Sequence, residues 1–223
     1  MDLLEALILG IVQGATEFLP VSSSGHLVLV PWWLGFNKPP LLFDVVVHLG
    51  TLMAVLVYFW RDWLTLVQAG IFALRNRSFQ DPDAQLLLLL AIGTIPAALA
   101  GVLLDDVFEA AFAEPRAAAL FLLVTAGLLV VSERLYASTQ TLSDLDWPDS
   151  LVIGMAQAFA IFPGISRSGS TIAAGMVRGL SRPAAARFSF LLATPIIIGA
   201  GLKQAFDVLT GSVTLADDLV GSL

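Results

Sequence analysis

Two apolar stretches of this sequence, Leu3 to Phe36 and Leu151 to Leu180, are each broken near the middle by proline, glycine and serine. Each half is too short to cross a bilayer, which takes roughly 20 mainly apolar residues. Backbone broken at membrane depth leaves N–H and C=O groups that lipid cannot satisfy, so it persists only where protein or a wet cavity surrounds it. Both stretches therefore read as re-entrant helical hairpins, over residues 3–36 and 151–180. The rest of the chain must be able to enclose them.

Composition places that enclosure in a membrane. Charged residues make up 13% of the 223 and hydrophobic residues 57%, whereas an ordinary soluble domain carries about 25% charged residues. Four further stretches are long and apolar enough to span, or nearly so: Leu41 to Trp60, Ala84 to Leu104, Ala117 to Val131 and Ala185 to Leu202. The third is short, and Arg116 and Glu133 at its ends can snorkel to the interface. The expected fold class is all-α and integral to the membrane. A net charge of −7 offers no basic footprint for nucleic acid, and the lack of cysteine excludes disulfides, thiolate metal sites and cysteine nucleophiles. Met1 to Glu5 has two acids and no base, unlike a cleavable signal, and reads as part of the mature chain. Basic residues in short loops set the orientation. Arg61, Arg75 and Arg77 in a loop from Arg61 to Asp83, together with Arg178, Arg182 and Arg187, mark the cytoplasmic side. The acidic loop Asp105 to Arg116 marks the outer side. The segment Arg134 to Asp149 should then be cytoplasmic despite Asp144, Asp146 and Asp149.

Shifted by 144 residues, the first broken stretch lies on the second without a gap. Gly10 meets Gly154, Gln13 meets Gln157 and Phe18 meets Phe162; Ser22, Ser24 and Gly25 meet Ser166, Ser168 and Gly169; Gly35 meets Gly179. Three expected crossings separate the copies, and an odd number turns the second copy over. Such inverted-topology repeats place a site near the midplane, where the broken elements meet. Residues 1–144 then form one repeat, with hairpin 3–36 and spans 41–60, 84–104 and 117–131. Residues 145–223 form the other, with hairpin 151–180, span 185–202 and tail 203–223. Two full copies would outrun the chain, so the second repeat is either eroded or short of two C-terminal helices.

The chemistry lies at the breaks. Gln13 and Glu17 are four residues apart and share a helix face. A carboxylate inside the membrane is costly and marks a site. After Pro20 ends that helix, Ser22, Ser23 and Ser24 offer hydroxyls and the amides that open the next helix, a favourable place for phosphate. The second break carries Arg167 where the first has Ser23, and a guanidinium fork suits phosphate oxygens. Brought tip to tip, the hairpins gather Glu17, the serines, His26 and Arg167 into a pocket holding a base, candidate nucleophiles and a cation. Gln13, Ser22, Ser24, Gly25, Ser166, Ser168, Gly169 and Thr171 read as substrate lining. Plainer readings stand beside these: serines as helix caps, His26 as a structural donor, Arg167 as only the counter-ion of Glu17. Asp44 and His48, one turn apart, are expected to pair with each other, the alternative being that they line the pocket. Gln157 is expected to bond the broken backbone of its own hairpin, and Trp32, Trp33, Trp60 and Trp63 to anchor at the interfaces.

From Thr16 to His26 the chain reads Thr-Glu-Phe-Leu-Pro-Val-Ser-Ser-Ser-Gly-His, and from Pro163 to Gly169 Pro-Gly-Ile-Ser-Arg-Ser-Gly. In both motifs it resembles the bacterial undecaprenyl-diphosphate phosphatases of the BacA type, over about residues 5 to 205. The resemblance implies removal of the terminal phosphate from a polyprenyl pyrophosphate, which recycles the carrier lipid of cell-wall synthesis. It implies an inner-membrane site open to the outer face, a link to antibiotic resistance, and catalytic roles for Glu17, Ser23, His26 and Arg167. It also implies a divalent cation, Mg²⁺ or Ca²⁺, held through Glu17 and the pyrophosphate oxygens. Gln13 stands where many members have a second glutamate. A second copy in a homodimer is the one protein partner left open. The competing reading is a transporter or flippase that binds a phosphorylated lipid or anion at the same site without cleaving it.

Overall fold

The computed structural model describes residues 1–37, 39–104, 107–108, 114–136 and 139–209. Regular structure among them is helical, apart from an isolated bridge between Gln140 and Leu180. A first hairpin of α1 (Leu3–Thr16) and α2 (Ser23–Leu34) leads into α3 (Leu41–Tyr58) and α4 (Trp60–Asn76). Helices α5 (Pro82–Leu103) and α6 (Pro115–Leu135) follow. The second hairpin is α7 (Trp147–Phe159) and α8 (Arg167–Val177), and α9 (Arg182–Leu209) completes the described fold. Helices α5, α6 and α9 up to Lys203 are long and apolar enough to cross a membrane, and the chain is an all-α integral membrane protein.

The hairpins repeat each other in local detail. Moved by 144 residues, α1 would run from 147 to 160 and α2 from 167 to 178, within one residue of α7 and α8. Both first helices open on an acidic capping box. Asp2 accepts from the Glu5 amide at 2.8 Å, and Asp146 accepts from the Asp149 amide at 2.9 Å. Both second helices open on a serine cap: Ser22 Oγ accepts from Gly25 N at 3.3 Å, and Ser166 Oγ from Gly169 N at 3.0 Å.

Three segments differ from expectation. The stretch 41–60 is not one continuous helix: α3 stops at Tyr58, and the chain bends by 75° at Phe59. The expected loop from Arg61 to Asp83 is instead mostly α4, whose Leu66, Gly70 and Ala73 form a buried stripe against α5. Its exposed face carries Arg61 and Arg75, with Asp62 half-buried, so an amphipathic helix was hidden under charges that read as a loop. The short span expected over 117–131 reaches from Pro115 to Leu135, and that over 185–202 begins at Arg182 and continues to Leu209. Residues 210–223 of the expected tail lie outside the described residues, as does most of the loop from Asp105 to Arg116.

Leu66, Leu89, Leu90, Ile153, Phe188, Leu191 and Leu192 form the main core between α4, α5, α7 and α9. Trp32, Trp33 and Trp60 are exposed, whereas Trp63 packs against this core. Arg178 binds Asp149 at 2.5 Å, and ion pairs also join Arg182 to Glu133 and Arg187 to Asp62. The acids that sat awkwardly with the charge rule thus have structural work. Asp149 answers an arginine, Asp144 accepts from the Thr141 amide at 2.8 Å, and Asp146 caps α7.

The second hairpin is seated on α5 at a glycine crossing. A Cβ on Gly154 would lie 2.3 Å from the Gly93 carbonyl oxygen, and Ser150 Oγ donates to Leu89 O at 2.5 Å one turn earlier. Gly154→Ala is expected to destabilise the protein by about 1–3 kcal/mol through overpacking, read as a lower thermal midpoint in detergent. Gly127→Ala, where open space surrounds the position, should leave the midpoint unchanged. Equal midpoints for the two variants would contradict the crossing.

Candidate active site

The two hairpin tips meet backbone to backbone. A Cβ on Gly25 would lie 2.8 Å from Gly164 Cα. Gly164 itself turns at φ +96°, and a side chain there would come within 2.2 Å of the Ala118 carbonyl on α6. Ser168 Oγ donates to Leu19 O at 3.2 Å across the same junction. Helix α6 clamps the second tip through one hydroxyl: Thr125 Oγ1 donates to Gly164 O at 2.9 Å and accepts from Ser166 N at 3.0 Å. Phe108 and Phe121 close on the Phe162 ring, with centroids 4.9 and 5.4 Å away. Thr125 carried no signal in the sequence, since a lone threonine in an apolar span has no motif around it.

Glu17 sits at the centre of this junction, only 6% exposed. Its Oε1 is ion-paired with the Arg167 guanidinium. Its Oε2 accepts from Ser23 Oγ, accepts from Gln13 Nε2 at 3.0 Å, and has His48 Nε2 at 3.8 Å. A buried carboxylate is tolerated when it is paired and hydrogen-bonded, and these groups do both. Arg167, at the start of α8, reaches Glu17 from the opposite hairpin, 150 residues away in sequence.

The remaining expected site residues have structural partners. Ser22, at φ +67°, caps α2 and approaches Ser24 Oγ at 3.2 Å. The strained backbone at Ser22 aims its carbonyl at the His26 ring, whose Nδ1 donates to it at 2.7 Å. His26 is therefore anchored to the first tip's own backbone rather than to Glu17. Ser166 caps α8 with Gly169 beside it, and Ser166 Oγ lies 3.2 Å from Ser168 Oγ. Thr171, 1% exposed, donates to Arg167 O at 2.8 Å and lies 2.6 Å from Ser189 Oγ on α9. These contacts put Ser166, Ser168, Gly169 and Thr171 into the scaffold that holds Arg167.

Two further expectations are corrected. His48 Nδ1 donates to the Asp44 main-chain carbonyl at 2.7 Å, which turns the ring's other nitrogen toward Glu17. The histidine thus lines the pocket, and the signal for it was present, since an ionisable residue inside a span is itself a site marker. Gln157 does not bond its hairpin's broken backbone: both its amide atoms are buried without a hydrogen-bond partner.

Among the described residues no three His, Asp, Glu or Cys side chains gather to cage a metal. Oxygen donors are nevertheless present. Gln13 Oε1 is buried without a partner, on the residue whose Nε2 bonds Glu17. Glu17 with Gln13 Oε1 fits a hard cation that takes its remaining ligands from substrate oxygens, the usual habit of Mg²⁺.

The chain matches the family described as "Bacitracin resistance protein BacA" over residues 6–222. It is 50% identical over 216 residues to a protein of Desulforudis audaxviator named undecaprenyl-diphosphatase, covering 97% of this chain and 81% of the relative. A protein of Pelotomaculum thermopropionicum with the same name is 45% identical over 97% of this chain and 80% of its own length. One from Methanosphaera stadtmanae, again so named, is 44% identical over 94% of this chain and 79% of its own length. With the hairpin junction built from both motifs and the match running nearly end to end, this chain belongs to the BacA family.

Proposed function

We propose that this chain is a membrane-embedded phosphatase that hydrolyses undecaprenyl pyrophosphate to the monophosphate and inorganic phosphate. The reading fits a multi-pass protein of the bacterial inner membrane that recycles the carrier lipid of cell-wall synthesis. The observation that carries it is the Ser23 hydroxyl donating to a buried carboxylate that is ion-paired with Arg167 across the hairpin junction. A carrier that binds phosphate without cleaving it needs the arginine but not a hydroxyl held on a base.

In this mechanism Ser23 Oγ attacks the terminal phosphorus in line with the leaving oxygen, and Glu17 Oε2 receives its proton. Arg167 spends one N–H on Glu17 and keeps the others for the phosphoryl oxygens. The first turns of α2 and α8 leave the amides of Ser23, Ser24, Arg167 and Ser168 without helical partners, supplying further donors for developing charge. Water then hydrolyses the phosphoserine with Glu17 as base. Positioning and charge stabilisation carry phosphoryl transfer, and both are built into the packed tips. Glu17 and Gln13 would hold a divalent cation, which when bound neutralises charge on the pyrophosphate oxygens.

Phosphate release from a polyprenyl pyrophosphate by the purified protein in detergent tests the reading. Release should fall to background on chelation with EDTA and return with Mg²⁺ or Ca²⁺. A rate indifferent to chelation would remove the cation from the proposal, and lipid binding without release would favour the carrier.

A further inference from the structure

Helix α8 packs against both α6 and α9, and at one end Arg182 ties those outer helices together. Its guanidinium donates from Nε to Glu133 at 3.2 Å and from Nη2 to the same carboxylate, while its Cζ lies 3.8 Å from the centre of the Tyr136 ring. Beside this bridge is an open groove of about 610 Å³, walled by α6 and α9 with α8 as its floor. Val130, Ile172 and Met176 make the interior apolar, and the exposed Glu133, Arg134 and Arg182 stand at its rim.

The groove changes character over one helical turn. Val130 lies four residues before Arg134 on α6, about 6 Å along the axis. Helices α6 and α9 are both long and apolar enough to cross a membrane, so charges at their ends fall where hydrocarbon gives way to headgroups. Glu133 is spent on Arg182, whereas Arg134, in the last turn of α6, meets no acid among the described residues. Two arginines against one acid leave the rim with a surplus positive charge. Other charges of the same end are already matched: Arg178 binds Asp149, and Asp144 and Asp146 are taken up by helix starts. An apolar slot under a cationic rim is complementary to an amphiphile with a hydrocarbon chain and an anionic head.

We propose that this groove holds one anionic phospholipid, its phosphate on Arg134 and Arg182 and one acyl chain against Val130, Ile172 and Met176. The bias of basic residues puts this end in the cytoplasm, and basic pockets between membrane helices on that side bind anionic headgroups. The site is separate from the hairpin junction, since Met176 lies nine residues along α8 from Arg167, about 13.5 Å. A chain seated there braces α6 and α9 against the helix that carries Arg167.

The test gives the purified protein, in a neutral detergent, labelled dioleoylphosphatidylglycerol or dioleoylphosphatidylcholine and counts the lipid retained after size exclusion. Wild type is compared with Arg134→Gln, Val130→Trp, Arg75→Gln and Arg167→Ala. Wild type should retain the glycerol lipid better than the choline lipid. Arg134→Gln should cut that retention about fivefold, the equivalent of ~1 kcal/mol for one arginine beside anionic lipid. Arg75→Gln, at the end of α4, should leave it unchanged. Val130→Trp fills the slot from a side chain already 50% exposed and should lower retention of both lipids. Lipid-free thermal midpoints equal to wild type show that Arg134→Gln and Val130→Trp are folded. Bound phosphatidylglycerol should raise the wild-type midpoint by about 2–4 °C, and Arg134→Gln should lose most of that rise. Equal retention of the two lipids, or an Arg75→Gln loss matching that of Arg134→Gln, would overturn the proposal in favour of unspecific adsorption. Full retention by Val130→Trp would also overturn it, as would retention lost in Arg167→Ala but kept in Arg134→Gln, which places the lipid at the hairpin junction. Displacement of phosphatidylglycerol by a polyprenyl pyrophosphate whose own retention depends on Val130 would give the groove to the substrate's tail instead.

Discussion

Glu17→Gln should lower phosphate release by about 10²–10⁴-fold, the range for loss of a general base, while lipid binding persists. The substitution keeps the shape and lets Ser23 Oγ still donate to the side-chain oxygen, but an amide oxygen cannot take the serine proton. It also removes the anion that Arg167 pairs with. The guanidinium side chain is 18% exposed and tolerates that loss better than a fully buried cation would, so the variant should fold. Rates come from released phosphate and binding from retention of a labelled polyprenyl pyrophosphate. Retained binding with lost turnover separates chemistry from recognition. A near-wild-type rate would end the case for Glu17 as the base and return attention to His26.

Arg167→Ala should be damaging in two ways at once. Turnover should fall by about 10²–10³-fold, the scale for losing a donor aimed at developing charge. The fold should also weaken, because Glu17 is left in the junction with its ion-pair partner gone. Breaking one side of a buried pair typically costs about 3–5 kcal/mol, which should appear as a clearly lower thermal midpoint in detergent. The Glu17→Gln, Arg167→Ala double variant should regain part of that stability, since no orphan carboxylate remains, while its activity stays as low as in either single variant. An alanine variant as stable as wild type would mean that the pair is already well solvated, contrary to the burial of Glu17.

Much of this arrangement can be read from local pattern. The hairpins were legible because Pro20, Pro163 and their neighbouring serines and glycines interrupt apolar runs, and helix boundaries answer to caps and breakers within a few residues. Asp2 and Asp146, and Ser22 and Ser166, mark equivalent helix starts under one shift. Helix α4 was missed because its single buried stripe lies among arginines and acids, and burying that stripe depends on α5 being beside it. His26 and His48 illustrate the same limit within the site. Both follow a motif or a polar neighbour, yet each ring is set by a main-chain carbonyl four residues back, and only one of them then faces Glu17.

The sequence by itself determined the membrane setting, the two broken hairpins and the repeat that relates them, and it marked Glu17 and Arg167 as ionisable groups at the breaks. Those follow from composition, from breakers in apolar runs and from motif spacing, all of which are local in the chain. Tertiary structure alone decided that the His48 ring rather than that of His26 faces Glu17, that Thr125 clamps the second tip, and that Thr171 and Ser168 brace the scaffold. It also decided that Asp149 answers Arg178. The reason is physical: these roles depend on which helix faces arrive at one junction, and that is set by close backbone crossings such as Gly25 on Gly164 and Gly154 on Gly93.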